Sequence, residues 1–425
     1  MERFDYLVVG SGAGGATLAR ELARRGKNLL VVEAGRHEEK VGTFSDALRY
    51  YDAPGLFRMP RKSREGVILW RTFMAGGSTV VSCGNGVRCL EKELSEQGIN
   101  LEAELAEAEA ELRIAPIAER LLSEGSRKIM SASKELGYGM ELMPKFIDSK
   151  ACRKCGQCVL GCTRRAKWTA FDYLEEAEKN GAQILYQTKC TTVIIENGKA
   201  AGINAVGPQG QIQLRSDVVI LAAGGLGTPV ILQNSGINNS GTGLFVDLLV
   251  NTYGVTDGLN QVYEPSMALV SHEFYESRGF ILSPHVNHPR MVKFMELGAK
   301  GFTLADNRVI GIMTKIRDES AGRVYPDGTV SKPVTEMDRR KLNEGSNIAG
   351  EILKKAGARY TIVSKVQGAH HGGAAAVGRV VDANLQTEVD NLFVCDGSVL
   401  PIAPGLPPIL TIVALAKRLA KLLAP

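Results

Sequence analysis

The sequence predicts an α/β protein in which a Rossmann-like, dinucleotide-binding domain is joined to an α+β domain built on an antiparallel sheet. Three observations predict it. Residues 4–35 read as a strand, a glycine turn, a helix and a second strand. Residues 245–330 change to short alternating strands separated by turn residues. At 425 residues the chain exceeds the size at which single cores usually stop growing.

The opening unit carries the clearest chemistry. Tyr6 to Val9 is a short apolar run, the pattern of a buried parallel strand. Gly10, Gly12 and Gly15 follow with G-x-G-x-x-G spacing, and Ala16 to Arg25 reads as a helix with Leu18 and Leu22 on one face. Gly26 stops it, and Leu29 to Val32 leads to Glu33. Gly10 permits the tight turn, Gly12 lets backbone approach a pyrophosphate, and Gly15 lets helix pack on strand. The helix N-terminus offers free N–H groups and partial positive charge to phosphates. Glu33 can accept from a ribose hydroxyl. This unit alone does not separate FAD from NAD.

Residues 36–75 show little periodicity and read as a polar connection able to cover a cofactor. Arg71 to Arg88 then places Gly76, Gly77, Gly84 and Gly86 among small residues, so backbone can lie against a flat ligand. Residues 100–139 are rich in Ala, Glu and Leu and read as helical. Trp168 to Asn180 is a further helix, followed by strands within Ala182 to Ile195 and a meander over 200–222. Thr228-Pro229 starts a helix with proline where its missing N–H costs little. In the second domain, Gly279 to Leu282 and Val309 to Lys315 read as strands and Tyr325 to Val330 as a hairpin turn. Asp338 to Gly357 is a helix. The chain returns through the strand at Asn391 to Ser398 to a helix starting at Pro407 or Pro408.

Composition excludes several classes. With 51 basic and 46 acidic residues, the net charge of +5 is small and spread out, which gives no footprint for nucleic acid. No apolar run reaches the roughly 18 residues a membrane helix needs. The first residues run straight into a strand, leaving no room for a signal peptide. Of eight cysteines, four lie within eleven residues: Cys152, Cys155, Cys158 and Cys162. Such clustering without a secretory signal reads as metal binding in a reducing, cytoplasmic setting. The C-x2-C-x2-C-x3-C spacing is that of the bacterial ferredoxin run and predicts a [4Fe-4S] cluster, with zinc the less favoured occupant. Arg153, Lys154, Arg164, Arg165 and Lys167 around it suit the negative charge of a four-thiolate cluster.

Four separated motifs then resemble one family, the glucose–methanol–choline oxidoreductases, over nearly the whole chain. The entry ending in Val-Val-Glu-Ala-Gly resembles the family's FAD fingerprint, and residues 76–88 its second flavin segment. Residues 224–237 and the C-terminal stretch from His370 resemble its other two signatures. The resemblance implies that the FAD domain is discontinuous: residues 1–100, 165–245 and 376–425. A helical segment with the cysteine loop occupies 101–164, and a substrate domain 246–375.

By the same resemblance FAD is held by Gly10, Gly12, Ala13, Gly15, Glu33 and Ala34, then by Gly76, Gly77, Thr79, Ser82 and Cys83. Val193, Ala223, Asp396, Gly397, Pro408 and Ile409 complete the set. His370, opening H-x-x-G, falls at the family's active-site histidine, with His371 its rival. The helix near Pro408 would aim its positive end at the flavin. The family's second active-site polar residue is replaced by Pro407, and its usual Thr by Ala374. Asn85, Cys83, His371, His285 and His288 are candidates to substitute.

The expected activity is oxidation of a CH–OH carbon by hydride transfer to FAD, assisted by His370. Electrons would leave through the cluster to an acceptor protein or quinone. Two alternatives are a reductase of C=C or C=O bonds and a non-enzymatic electron-transfer flavoprotein.

Overall fold

The computed structural model of the chain describes residues 3–52, 58–303 and 308–425. Strand β1 (Arg3–Val9), helix α1 (Ala13–Arg24) and strand β2 (Leu29–Val32) form the opening unit. The region read as one helical stretch is two helices, α2 (Glu102–Glu111) and α3 (Glu124–Glu135). Between them Pro116 lies in a two-residue strand, Ala115–Pro116, which a helix interior would not tolerate. Helix α4 (Ala170–Lys179) starts at a Thr169–Asp172 capping box. Strands β3 (Gln183–Leu185), β4 (Lys189–Glu196), β5 (Lys199–Gly207) and β6 (Gly210–Leu221) lead to helix α5 (Thr228–Asn234). The second domain supplies β7 (Leu248–Val255), β8 (Phe280–Pro284), β9 (Val309–Ile316), helix α6 (Glu336–Lys355), β10 (Tyr360–Val363) and β11 (Gln367–Gly368). The chain then returns as β12 (Leu392–Val394) and helix α7 (Ile409–Leu423).

The first sheet runs β3-β2-β1-β6-β5-β4, with β12 beside β6. Strands β1, β2, β3, β6 and β12 are mutually parallel. β6 has two lives: its first half closes antiparallel on β5, and its second half joins the parallel group. All four residues of β2 are buried, as a parallel strand covered on both faces requires. Helices α1, α4 and α7 pack together over this sheet, so residues from both ends of the chain share one core. The Tyr6 hydroxyl donates to the Leu423 carbonyl at 2.8 Å, closing that contact.

Beneath α7, Lys417 is fully buried. Its Nζ lies 3.3, 2.7 and 3.0 Å from the carboxylates of Glu21, Glu107 and Glu111. The ammonium occupies the centre of the one acidic trio among the described residues that is tight enough for a metal ion.

The second sheet runs β8-β9-β7-β11 and continues into Ile68–Leu69 and Arg61–Lys62, with β10 also on β7. The region 36–75 is therefore not a mere connection. It lends two short strands to the second sheet, Ile68 pairing parallel with Gln367. Helix α6 packs on β7 and β9. It begins two residues before the expected Asp338, because Thr335 is the cap and Asp338 closes a capping box from inside the first turn. The hairpin at 325–330 is present between Gly322–Val324 and Val330–Ser331.

Candidate active site

One cavity of about 540 Å³ lies between the two sheets. Its first wall is the opening unit. Gly10 has φ +99°, and a Cβ there would stand 2.3 Å from the Ala222 carbonyl oxygen. At Gly15 a Cβ would stand 2.0 Å from the Gly10 carbonyl oxygen, so Gly15 serves helix packing and does not line the cavity. At Gly12 a Cβ would meet nothing within 4 Å: it would enter the cavity instead. Gly12 caps α1 without any side-chain hydrogen bond, which leaves the helix's first N–H groups for a ligand. Gly77 faces Gly12, a Cβ on it lying 3.1 Å from the Gly12 Cα. The guanidinium of half-buried Arg71 lines the same cavity, donates to the Ala223 carbonyl at 3.2 Å and lies 3.7 Å from Asp52, placing a cation in this wall.

Glu33 reaches the cavity, but its carboxylate already works inside the protein. It accepts the Ser11 N–H at 3.0 Å, the Ser11 hydroxyl at 2.5 Å and the Gly35 N–H at 2.6 Å. A carboxylate offers about four acceptor positions, which leaves one for a ribose hydroxyl. Burial pushes its pKa up despite these donors.

Ala13, Ala34, Thr79, Ser82, Cys83, Asn85, Ala223, Asp396, Gly397, Pro408 and Ile409 all line the cavity. Gly76 does not; its N–H donates to the Ser11 hydroxyl and anchors the turn. Val193 does not either. Its N–H donates to Ser235 Oγ, and Thr188, Cys190 and Thr191 face the cavity in its place. The carboxylate of Asp396 accepts from Gly224 N–H at 2.9 Å, Thr228 Oγ1 at 2.5 Å and Ser398 N–H at 2.8 Å. It ties β12 to the start of α5. The α7 N-terminus points Pro408, Ile409 and Ile412 at the cavity.

The 80–85 segment is bolted down by two buried lysines. Lys167 Nζ donates to the carbonyls of Val80 (2.8 Å), Ser82 (2.5 Å) and Cys158 (2.9 Å). Lys145 Nζ donates to Cys83 O (2.9 Å), Asn85 Oδ1 (2.5 Å) and Ser266 O (2.9 Å). Burial lowers the Lys145 pKa to about 8. Asn85, offered above as a substitute catalytic group, spends its oxygen on Lys145 and its amide on Met267 Sδ at 3.2 Å.

His370 sits on the opposite wall, just after β11. Its Nδ1 is 2.9 Å from Asp247 Oδ2 and 3.1 Å from Lys315 Nζ, which leaves Nε2 for the cavity. Burial and then Lys315 hold its pKa well below the usual histidine value, so the ring is neutral. His371 also lines the cavity, with its Nε2 buried and unpartnered. Burial, Arg71 and His370 lower its pKa to about 3. His285 is 2.9 Å from Asn287 Oδ1 in a buried polar group that centres on Glu296. His288 stacks on Phe44 and does not line the cavity.

The four cysteines lie on one irregular loop, all as unpaired thiols. Burial pushes Cys152 and Cys155 up, while the N–H groups of Lys154 and Gln157 donate to their sulfurs and pull back. Among the described residues no three of these sulfurs come within 4.8 Å of one another. That does not fit zinc, whose ~2.3 Å bonds would gather all four thiolates around one point. The cations around the loop are mostly committed elsewhere: Arg165 pairs with Asp172 and Glu175.

The profile of GMC oxidoreductases matches residues 4–250, and its C-terminal counterpart matches residues 318–416. The chain belongs to the GMC oxidoreductase family. It is therefore an FAD-dependent oxidoreductase acting on CH–OH donors, and the Gly12 space, the uncapped α1 and Arg71 fit the FAD pyrophosphate. An uncharacterised protein of Methanocaldococcus jannaschii is 29% identical over 98% of this chain and 99% of its own length. A long-chain-alcohol oxidase of Arabidopsis thaliana is 25% identical over 96% of this chain and 66% of its own length. The pyridoxine 4-oxidase structure from Mesorbium loti shares the fold, with a TM-score of 0.75 at 18% identity over 99% of both chains. Among the described residues no helix is long and apolar enough to cross a membrane.

The site residues that sequence reasoning missed in this GMC oxidoreductase are Arg71, Asp247 and Lys315. Asp247 and Lys315 stand outside any motif, and Arg71 opens the glycine-rich stretch of residues 71–88 without having been singled out in it. Only the alternation within β9 could have placed Lys315 on the same face as its neighbours Met313 and Gly311.

Proposed function

We propose that this enzyme oxidises a small-molecule alcohol with His370 as the base that receives the hydroxyl proton. The observation that carries this reading is the held imidazole: Nδ1 is fixed between Asp247 and Lys315, and the ring is kept neutral with Nε2 at the cavity. A neutral Nε2 can accept a proton, and general-base assistance of this kind contributes about 10²–10⁴-fold. Bound FAD supplies the hydride acceptor. The chain's own residues exclude water and orient: Asp396 and the α7 N-terminus close one side, and Met267, Met313 and Leu249 line the other.

Anaerobic stopped-flow tests the reading. A panel of alcohols should bleach the oxidised flavin, and His370→Gln should slow bleaching by about 10²-fold or more with FAD still bound. An unchanged rate in that variant would sink it.

The four-cysteine loop supports a [4Fe-4S] cluster at Cys152, Cys155, Cys158 and Cys162 as the exit for electrons to a protein or quinone acceptor. A cubane spreads four thiolates over four irons, and what supports it here is the C-x2-C-x2-C-x3-C spacing of the loop. A reducing compartment such as the cytoplasm accompanies this reading. Iron content and an EPR spectrum of anaerobic protein decide it: no iron and no signal would remove the cluster and leave the flavin chemistry standing.

A further inference from the structure

Lys315 lies on β9 with 1% of its surface exposed, against the wall of the cavity. Its Nζ is 3.1 Å from His370 Nδ1 and 3.8 Å from Asp247 Oδ2, while Asp247 Oδ2 is 2.9 Å from the same Nδ1. One ring nitrogen cannot serve both neighbours at once. It donates to Asp247 only when it carries a proton, and accepts from Lys315 only when it does not. Where that proton sits decides whether Nε2 is a base or a donor.

Resting on the reading of His370 as the base, we propose that Lys315 is the proton acceptor behind His370 in alcohol oxidation. As the substrate O–H bond breaks, its proton joins Nε2. The Nδ1–H bond then breaks, and its proton becomes the third N–H on the Lys315 amine. The hydride leaves the carbon with its electron pair for oxidised FAD, and the substrate departs as a carbonyl. The imidazole ends neutral, and the new ammonium stands beside the Asp247 carboxylate. Asp247 Oδ1 accepts the Gly405 N–H at 2.9 Å, which ties the carboxylate to the turn that carries Pro407.

The surroundings suit an amine that becomes neutral above a pH of about 8. The groups facing Lys315 are Asp247, His370 and the thiols of Cys89 and Cys83, with Arg317 acting on Asp247. Burial lowers Lys315 to about 8 and raises Asp247 to about 7, so neither holds its charge strongly.

Two measurements test the relay. In stopped-flow on the holoenzyme, flavin reduction by an accepted alcohol should rise with pH through about 8. Lys315→Met should be about 10²-fold slower above that pH and flat across it, with the FAD spectrum retained. Lys315→Arg should be equally slow, and added primary amines should restore rate to Lys315→Ala in proportion to their basicity. In the substrate-free enzyme labelled with 15N-lysine, the Nζ resonance missing from Lys315→Met should titrate near 8. A pH rise that persists in Lys315→Met, or an Nζ that stays protonated far into alkali, overturns the relay. Should no alcohol bleach the wild-type flavin, the alcohol reading itself falls and takes the relay with it, whatever the Nζ titration shows.

Discussion

At Gly12 and Gly15, one residue type answers two different demands. Gly12 has ordinary backbone angles, so a side chain there costs the fold little and would fill the space meant for a pyrophosphate. Gly12→Val should purify with near-native melting and without FAD, read from the absorbance spectrum. Gly15→Val drives a side chain into the Gly10 carbonyl and should cost about 3 kcal/mol or more in denaturant unfolding. These glycines were legible because their spacing and their neighbours lie within one short stretch. His370 was legible for the same reason. Lys315, Asp247 and Arg71 were not, since each owes its place to strands or turns far apart in sequence and looks, locally, like any surface charge. Val193 failed in the opposite sense. Its strand is right, but Val193 does not line the cavity and its N–H donates to Ser235.

Among the elements, α7 shows how burial can invert a residue's usual meaning. Lys417 is a cation on the helix's buried face, where its ammonium meets three carboxylates. Lys417→Met should destabilise the protein by up to about 3 kcal/mol in urea, since it removes the cation shared by Glu21, Glu107 and Glu111 while Arg20, Arg25 and Lys421 still pair with them. Adding Glu21→Gln should return part of the loss. Long elements with a clear period, such as α1, α6 and α7, were readable from sequence to within about three residues. The strands at 61–62 and 68–69 were not, because two residues carry no period, and only the pairing of 68–69 with β11, and of 61–62 with 68–69, makes them strands.

For the molecule as a whole, the same buried network sets an acid limit. Burial alone would raise Glu21, but Arg20, Arg25 and Lys417 outweigh it and bring its pKa down to about 2. The folded form therefore releases this proton more readily than the unfolded chain does. The stabilisation, roughly 3 kcal/mol, is fully present above the usual carboxylate range and is lost as pH falls from about 4.5 towards about 2. Melting temperature followed over that range should drop steeply in the wild type and less steeply in Glu21→Gln. Asp247 pulls the other way: raised to about 7, it binds its proton more tightly when folded, so lowering the pH through 7 eases a strain.

The contact between Tyr6 and Leu423 also carries a consequence in time. A ribosome makes the glycine turn well before the wall opposite it. Until residues 392–423 emerge, β6 has no β12 beside it, Asp396 cannot tie α5, and Pro408 and Ile409 are missing from the cavity. The lining of the cavity is therefore complete only once the segment 392–412 has been made and has packed against β6 and α1.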